Sequence, residues 1–179
     1  VTVVLVAAYR DGTGFDALRR YFSYRNQTDG EQVVYPYEAS SQNHFAALGE
    51  HLVVLSNTNL SILGPSGTEV WSQAVNFAAP ALVQAGERAV AYDVGGTELY
   101  LLDGDGELMH LSADEAEPLI AANLSEDGWL TVTSQKQTRK GWVRVYDPSL
   151  ELVSEFKSSE RFVTDACVVD GKHLAAVTL

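Results

Sequence analysis

Residues 89–111 read AVAYDVGGTELYLLDGDGELMHL. Two acidic-glycine clusters, DVGG at 93–96 and DGDG at 103–106, interrupt three short apolar runs. They are either loops that grip a ligand or turns between strands. A calcium loop of the EF-hand kind needs Gly at its sixth position and Glu at its twelfth. Counted from Asp103, those places hold Leu108 and Asp114. DVGG lacks the strand–GxGxxG–helix setting of a phosphate cradle. The remaining reading is turn chemistry, in which Gly supplies positive φ and Asp bonds the backbone two residues on. Asp93, Gly95, Gly96, Asp103, Gly104, Asp105 and Gly106 are accordingly assigned as structural turn residues.

Outward from this stretch the pattern repeats. An apolar run, a Gly with polar neighbours and a second apolar run occur in FAALGEHLVVLS, ALVQAGERAVAYD, ANLSEDGWLTVTS and CVVDGKHLAAVTL. The glycines are Gly49, Gly86, Gly128 and Gly171, spaced 37, 42 and 43 residues apart. In phase with them run LSILGPSGTEVWSQ, LYLLDGDGELMHL and VRVYDPSLELVSEF, each a strand, a tight turn and a strand. The second copy predicts strands near 80–85, 88–94, 97–102 and 107–112. About forty residues and four antiparallel strands per unit mark a β-propeller blade. A lone blade cannot bury both faces, whereas stacked blades can. The expected fold is all-β: a propeller of four-stranded antiparallel blades, about three and a half of them visible, after a short N-terminal helix.

The chain has 179 residues, of which 46% are hydrophobic, enough for a packed core. The net charge is −12 and the pI about 4.6, which argues against nucleic acid as a partner. Residues 1–30 differ, with four Arg against three Asp, whereas the rest carries 8 basic and 21 acidic side chains. VTVVLVAAYR at 1–10 fits either a β-branched strand or the last half of a transmembrane helix. GFDALRRYFSYRN spaces Phe15, Leu18 and Phe22 as a short amphipathic helix. Residues 1–30 are thus expected to be membrane-proximal, and 31–179 to be a partial propeller. The one cysteine, Cys167, lies in an apolar strand-like run and is expected to be a small core residue.

AYDVGGTELYLL, AANLSEDGWLTVTS, GWVRVYDPSLELV and DGKHLAAVTL together resemble an uncharacterised family of Gram-positive bacterial proteins, a domain of unknown function. The resemblance covers most of residues 5–179, and YDVGG and SEDGWL are its more specific phrases. It implies a propeller on the outer side of a single N-terminal transmembrane helix, with GFDALRRYFSYRN as the juxtamembrane stretch. It brings no activity. SGTEVWSQ also resembles the end of a quinoprotein-type blade, where a Trp of the outer strand docks on the next blade. Trp71 matches that role, while Met109 and Val153 stand at the matching places of the next two repeats. No bound quinone is expected. The fourth repeat stops at Leu179 after two strands, which suggests a fragment or a pair of chains completing one ring. EQVVYPYE at 31–38 is a candidate closing strand.

Catalytic patterns are sparse. His44, His51, His110 and His173 form no HExxH or His/Cys cluster, so no metal site is predicted. No GxSxG elbow occurs. The sequons at Asn26, Asn59 and Asn123 carry no information in a bacterial chain. Asp114, Glu115 and Glu117 read as a solvated acidic loop. QKQTRKGW at 135–142 is the one basic patch, expected in a long loop between the second and third strands of the third blade, as a solvated hairpin tip. Lys136, Arg139 and Lys140 there are the candidate ligand-binding residues, facing an anionic partner such as a cell-wall polymer. The innermost strands hold one acid, Asp165, a pattern that favours binding over catalysis.

These features lead to an extracytoplasmic, membrane-tethered propeller that binds a protein or a cell-envelope glycan without catalysis, a step from fold to function made by analogy. The alternative is a propeller enzyme, a hydrolase or lyase of envelope glycans, with carboxylates at the channel. A folding accessory factor is a third reading. No cofactor is expected, and a homodimer that completes the ring is a further possibility.

Overall fold

The computed structural model describes Tyr37 and residues 42–136 and 138–179. The expected N-terminal segment 1–30, with its helix, and all of the 31–38 stretch but Tyr37 lie outside the described residues. Among the described residues every regular element is a strand. The first blade comprises β1 (His44–Leu48), β2 (His51–Leu55), β3 (Asn59–Leu63) and β4 (Glu69–Ala74). The second comprises β5 (Pro80–Ala85), β6 (Arg88–Asp93), β7 (Glu98–Leu102) and β8 (Glu107–Ser112). The third comprises β9 (Leu119–Leu124), β10 (Leu130–Lys136), β11 (Arg139–Tyr146) and β12 (Leu152–Ser158). A half-blade follows, β13 (Val163–Val168) with β14 (Leu174–Thr178). Each sheet is an antiparallel meander in chain order.

The first strands of successive sheets meet, β1 against β5, β5 against β9 and β9 against β13, and β9 also packs on β6. The sheets therefore fan outward from their first strands, the blade arrangement of a propeller. This explains the sequence of the middle strands. In β6, Ala89 and Ala91 join the core shared with the first blade, while Val90 and Tyr92 join the core shared with the third. In β7, Tyr100 and Leu102 face the first blade, and Leu99 and Leu101 the third. Side chains alternate across a strand, so a strand packed on both faces is apolar throughout. The last strands β4, β8 and β12 lie at the rim and are mostly exposed.

The outer turn of each blade is placed to meet its predecessor. Asp103 accepts hydrogen bonds from the Asp105 and Gly106 amides through Oδ1, at 2.9 and 3.1 Å. Asp147 accepts from Ser149 and Glu151 in the third blade, at 2.9 and 3.0 Å. A Cβ on Gly104 would stand 2.9 Å from His51 Nδ1 of the first blade, so the close approach itself demands glycine there. Arg88 makes the same crossing one blade on, donating through Nη1 to the Pro148 carbonyl at 3.0 Å. His51 and Arg88 both follow a repeat glycine by two residues.

Two expectations are corrected. Cys167 is exposed rather than in the core. In β13 it is Val163 and Ala166 that pack on the third blade, and a register shift between Val163 and Asp165 turns Cys167 away from it. The basic stretch 135–142 is not a long loop either. Lys136 pairs directly with Arg139 across a tight hairpin, so the cations stand on strand ends.

Candidate functional site

The DVGG turn is a bridge between blades. Asp93, 8% exposed, accepts the Ala79 amide through Oδ1 at 2.7 Å. The Gly95 amide donates to the Leu119 carbonyl at 2.7 Å, and the Leu119 amide donates to the Gly96 carbonyl at 2.8 Å. The second blade is thus tied to the first residue of β9 by backbone. A Cβ on Gly96 would fall 2.2 Å from Asp93 Oδ2, so the turn and its carboxylate exclude any side chain. Trp71, half-buried on β4, packs against the core between the first two blades. Its Cδ1 would be 3.3 Å from a Cβ on Gly106 in the second blade's outer turn. Met109 at the matching place packs on the next core, while Val153 is 51% exposed.

Polar side chains gather at two rims. On the second blade, Glu98 of β7 accepts from Ser112 and pairs with His110, both of β8. His110 stacks on Tyr100 with ring centroids 4.3 Å apart and planes 5° apart. Burial pushes the Glu98 carboxyl up, but the Ser112 and His110 hydrogen bonds and the His110 charge outweigh it, and it ends below its ordinary range. A nucleophilic triad needs His between Ser and the acid. Here the acid lies between the other two, and the Ser112 hydroxyl is bonded to a carboxylate rather than to imidazole. Sequence reading missed this cluster. Its signal is present, because Glu98 pairs with Ser112 and Tyr100 with His110 in register.

On the third blade the predicted cations are divided. Lys136 pairs with Glu117, in the connection from the second blade. Lys140 donates to the Glu160 carbonyl at 3.0 Å and lies 5.1 Å from the Phe162 ring. Arg139 lies 5.8 Å from the centre of the Trp142 ring, joined there by Arg144 at 4.8 Å and Lys157 at 4.9 Å. The Trp142 indole donates to Glu155 Oε1 at 2.9 Å, and Lys157 donates to Glu155 Oε2 at 3.0 Å. The Lys157 hydrogen bond leads the causes that hold the Glu155 carboxyl below its ordinary range. Trp142, Arg144 and Lys157 were not singled out from the sequence. They became neighbours only through the register that sets Trp142 opposite Lys157 and Arg144 opposite Glu155.

Elsewhere the histidines stay apart. His44 pairs with Leu55 and His51 with Leu48, at opposite ends of one hairpin. His173 bonds Asp170 at 2.8 Å, and this bond leads the causes that lower the Asp170 carboxyl. The inner-strand acid Asp165 is engaged, accepting from Asn123 and, at 2.9 Å, from the Ala166 amide. Among the described residues no three His, Cys, Asp or Glu side chains gather as a metal would need.

The model of a family of unknown function, DUF5711, matches residues 18–179. The chain belongs to this family. The resemblance read from YDVGG and SEDGWL therefore holds at the level of family and fold. No curated protein matches in sequence. Among solved structures, Hsv2p of Kluyveromyces lactis is similar with a TM-score of 0.54 and 17% identity, over 79% of this chain and 47% of that one. A dihydro-heme d1 dehydrogenase, NirN, in complex with DHE gives 0.51 and 17%, over 96% of this chain and 42% of its own. BamB from Moraxella catarrhalis gives 0.49 and 12%, over 74% and 38%. The chain spans less than half the length of these structures. At such identities the likeness to Hsv2p and NirN shows the fold alone, and the family member is a β-propeller of four-stranded antiparallel blades.

Proposed function

We propose that this family member is an extracytoplasmic, membrane-tethered propeller that binds a protein or cell-envelope polymer without catalysing its conversion. The observation that carries the reading is a local excess of cations in the third blade and the connection after it. Residues 136–161 hold six of the chain's twelve Lys and Arg against four acids, Asp147, Glu151, Glu155 and Glu160, in a protein of net charge −12. An acidic protein repels anions at long range, so a clustered basic rim provides a local attraction that the rest of the surface lacks. Lys136, Arg139 and Lys140 stand at the β10–β11 hairpin of that blade. The uncharged run at 1–8 ahead of Tyr9 and Arg10 supports the tether. We propose Trp71 as the docking residue between blades, and the Asp and Gly residues of DVGG and DGDG as purely structural. We propose a second copy of the chain, held by strand pairing, as a further partner.

The test is co-sedimentation of the full chain with isolated envelope fractions. Retention is expected at low salt, with loss in a Lys136→Ala/Arg139→Ala/Lys140→Ala variant whose circular dichroism is unchanged. Equal retention of both proteins sinks this face as the binding surface. Light scattering that gives only monomer at all concentrations removes the second copy.

A further inference from the structure

We infer that the rim of the third blade holds an oxyanion-binding site, built by Arg139, Arg144 and Lys157 around Trp142, that takes a phosphate or carboxylate group. This inference deepens the binding reading above and rests on it for the biological partner.

The face is fixed by alternation. Val143 and Val145 pack toward the half-blade, and Tyr146 joins the core shared with the second blade. Trp142 and Arg144 therefore lie on the second-blade side of β11. Lys157 and Glu155 are their register partners on β12, and Ser134 is the partner of Trp142 on β10. One patch of sheet thus presents an indole, a guanidinium group, an ammonium, a carboxylate and a hydroxyl, and the Arg139 guanidinium approaches the same ring from the strand end at 5.8 Å.

Three cations within 4.8–5.8 Å of one ring repel one another, and ring quadrupole attraction offsets only part of that. Glu155 is the acid bonded within the cluster, and both its oxygens are already engaged, one by Trp142 and one by Lys157. It balances one positive charge of three. The second, independent observation is a set of unmet donors. Arg144 Nε and Nη2 are closed to solvent and have no hydrogen-bond partner, although the guanidinium also engages the Tyr146 hydroxyl beside it. Ser134 Oγ, on a fully buried residue of the same face, has none either. A buried donor left unpaired is costly, and native proteins keep few. The Nε–Nη2 edge of a guanidinium is one that grips carboxylate or phosphate through two parallel bonds. Excess positive charge and unpaired donors on one patch call for the same complement, an anionic oxygen pair. Trp142, half-buried above Arg144, is the side chain that must shift to admit it.

The experiment follows the three tryptophan indole resonances of the ¹⁵N-labelled 179-residue chain, with Trp142 assigned by Trp142→Phe. Inorganic phosphate and polyphosphate form one arm, citrate and polyglutamate the other. The expected result is a saturable shift of the Trp142 resonance alone in at least one arm. The arm that responds identifies the group. Arg144→Gln is expected to weaken binding at least tenfold, with Lys172→Gln, on the half-blade, unchanged. Glu155→Gln frees Lys157 and the indole and is expected to tighten binding several-fold, an independent check should Arg144→Gln fail to fold. A silent Trp142, three resonances drifting together without saturation, or unaltered affinity in Arg144→Gln and Glu155→Gln overturns the site. Envelope retention with a silent Trp142 removes the site and leaves the scaffold reading standing. A saturable Trp142 without envelope retention does the reverse.

Discussion

The junction between the first two blades and the junction between the third blade and the half-blade share one geometry but are closed by different chemistry. The first is filled by Val53, Leu55, Leu60, Ile62, Ala89, Ala91, Tyr100 and Leu102, with Phe77 and Trp71 at its margins. The last has a small apolar core of Val143, Val145, Val163 and Ala166. Beside it Thr131 and Thr133 are each 1% exposed. Thr131 donates to the Ala166 carbonyl at 2.6 Å, and Asn123 donates to the same carbonyl at 3.0 Å and to Asp165. Apolar packing is non-directional and rewards area, whereas hydrogen bonds fix one alignment and contribute little net. The first junction should therefore dominate stability, and the last should set how the half-blade sits.

The largest test of that contrast is Ile62→Ala, which opens a cavity in the first junction. A loss of about 3 kcal/mol is expected in urea unfolding. A loss no greater than that of Val143→Ala would erase the difference between the junctions. Asn123→Ala comes next, at about 2 kcal/mol, because it strips Asp165 and the Ala166 carbonyl of a donor. Amide exchange should accelerate in β13 and β14 before it does so in β2 and β3, and uniform acceleration would count against a junction of its own. Gly106→Ala follows at about 1 kcal/mol, since its φ of 152° is unfavourable for a side chain and Trp71 lies against it. The fluorescence of Trp71 should shift with it. The smallest effect is electrostatic. Glu98 has a lowered folded pKa, so its stabilisation is present above the unfolded value and is lost as pH falls through the folded one. The group is 34% exposed, so less than about 1 kcal/mol is at stake. Melting temperatures of the native protein and of Glu98→Gln should begin to converge near pH 4, close to the unfolded Glu value, and meet only below the lower folded one. Curves that stay parallel down to pH 3 would remove the Glu98 contribution.

The second repeat shows how far pattern reading reaches. Strands expected at 80–85, 88–94, 97–102 and 107–112 fall at 80–85, 88–93, 98–102 and 107–112. Turn residues and strand runs are local signals, and here the tertiary structure agrees with them. The third blade shows where local signals fail. QKQTRKGW looks like a loop because Gly and six polar residues cluster there, yet both strands run into it, held by ladder pairing. The candidate site suffered most. Arg144 and Lys157 are unremarkable in sequence, thirteen residues apart, and nothing local signals that they flank one indole. Cys167 failed for a related reason, since a register shift in β13 is invisible to an alternation count.

The sequence alone determined the repeat, the four-stranded unit and the family, because each is written in short-range periodicity and in residues with few backbone options. Only the tertiary structure decided which faces meet. It set His51 against Gly104, Arg88 against Pro148, and three cations around Trp142. Those contacts depend on register and on the stacking of one blade upon the next, and both arise from the packing of whole sheets rather than from any single stretch of chain.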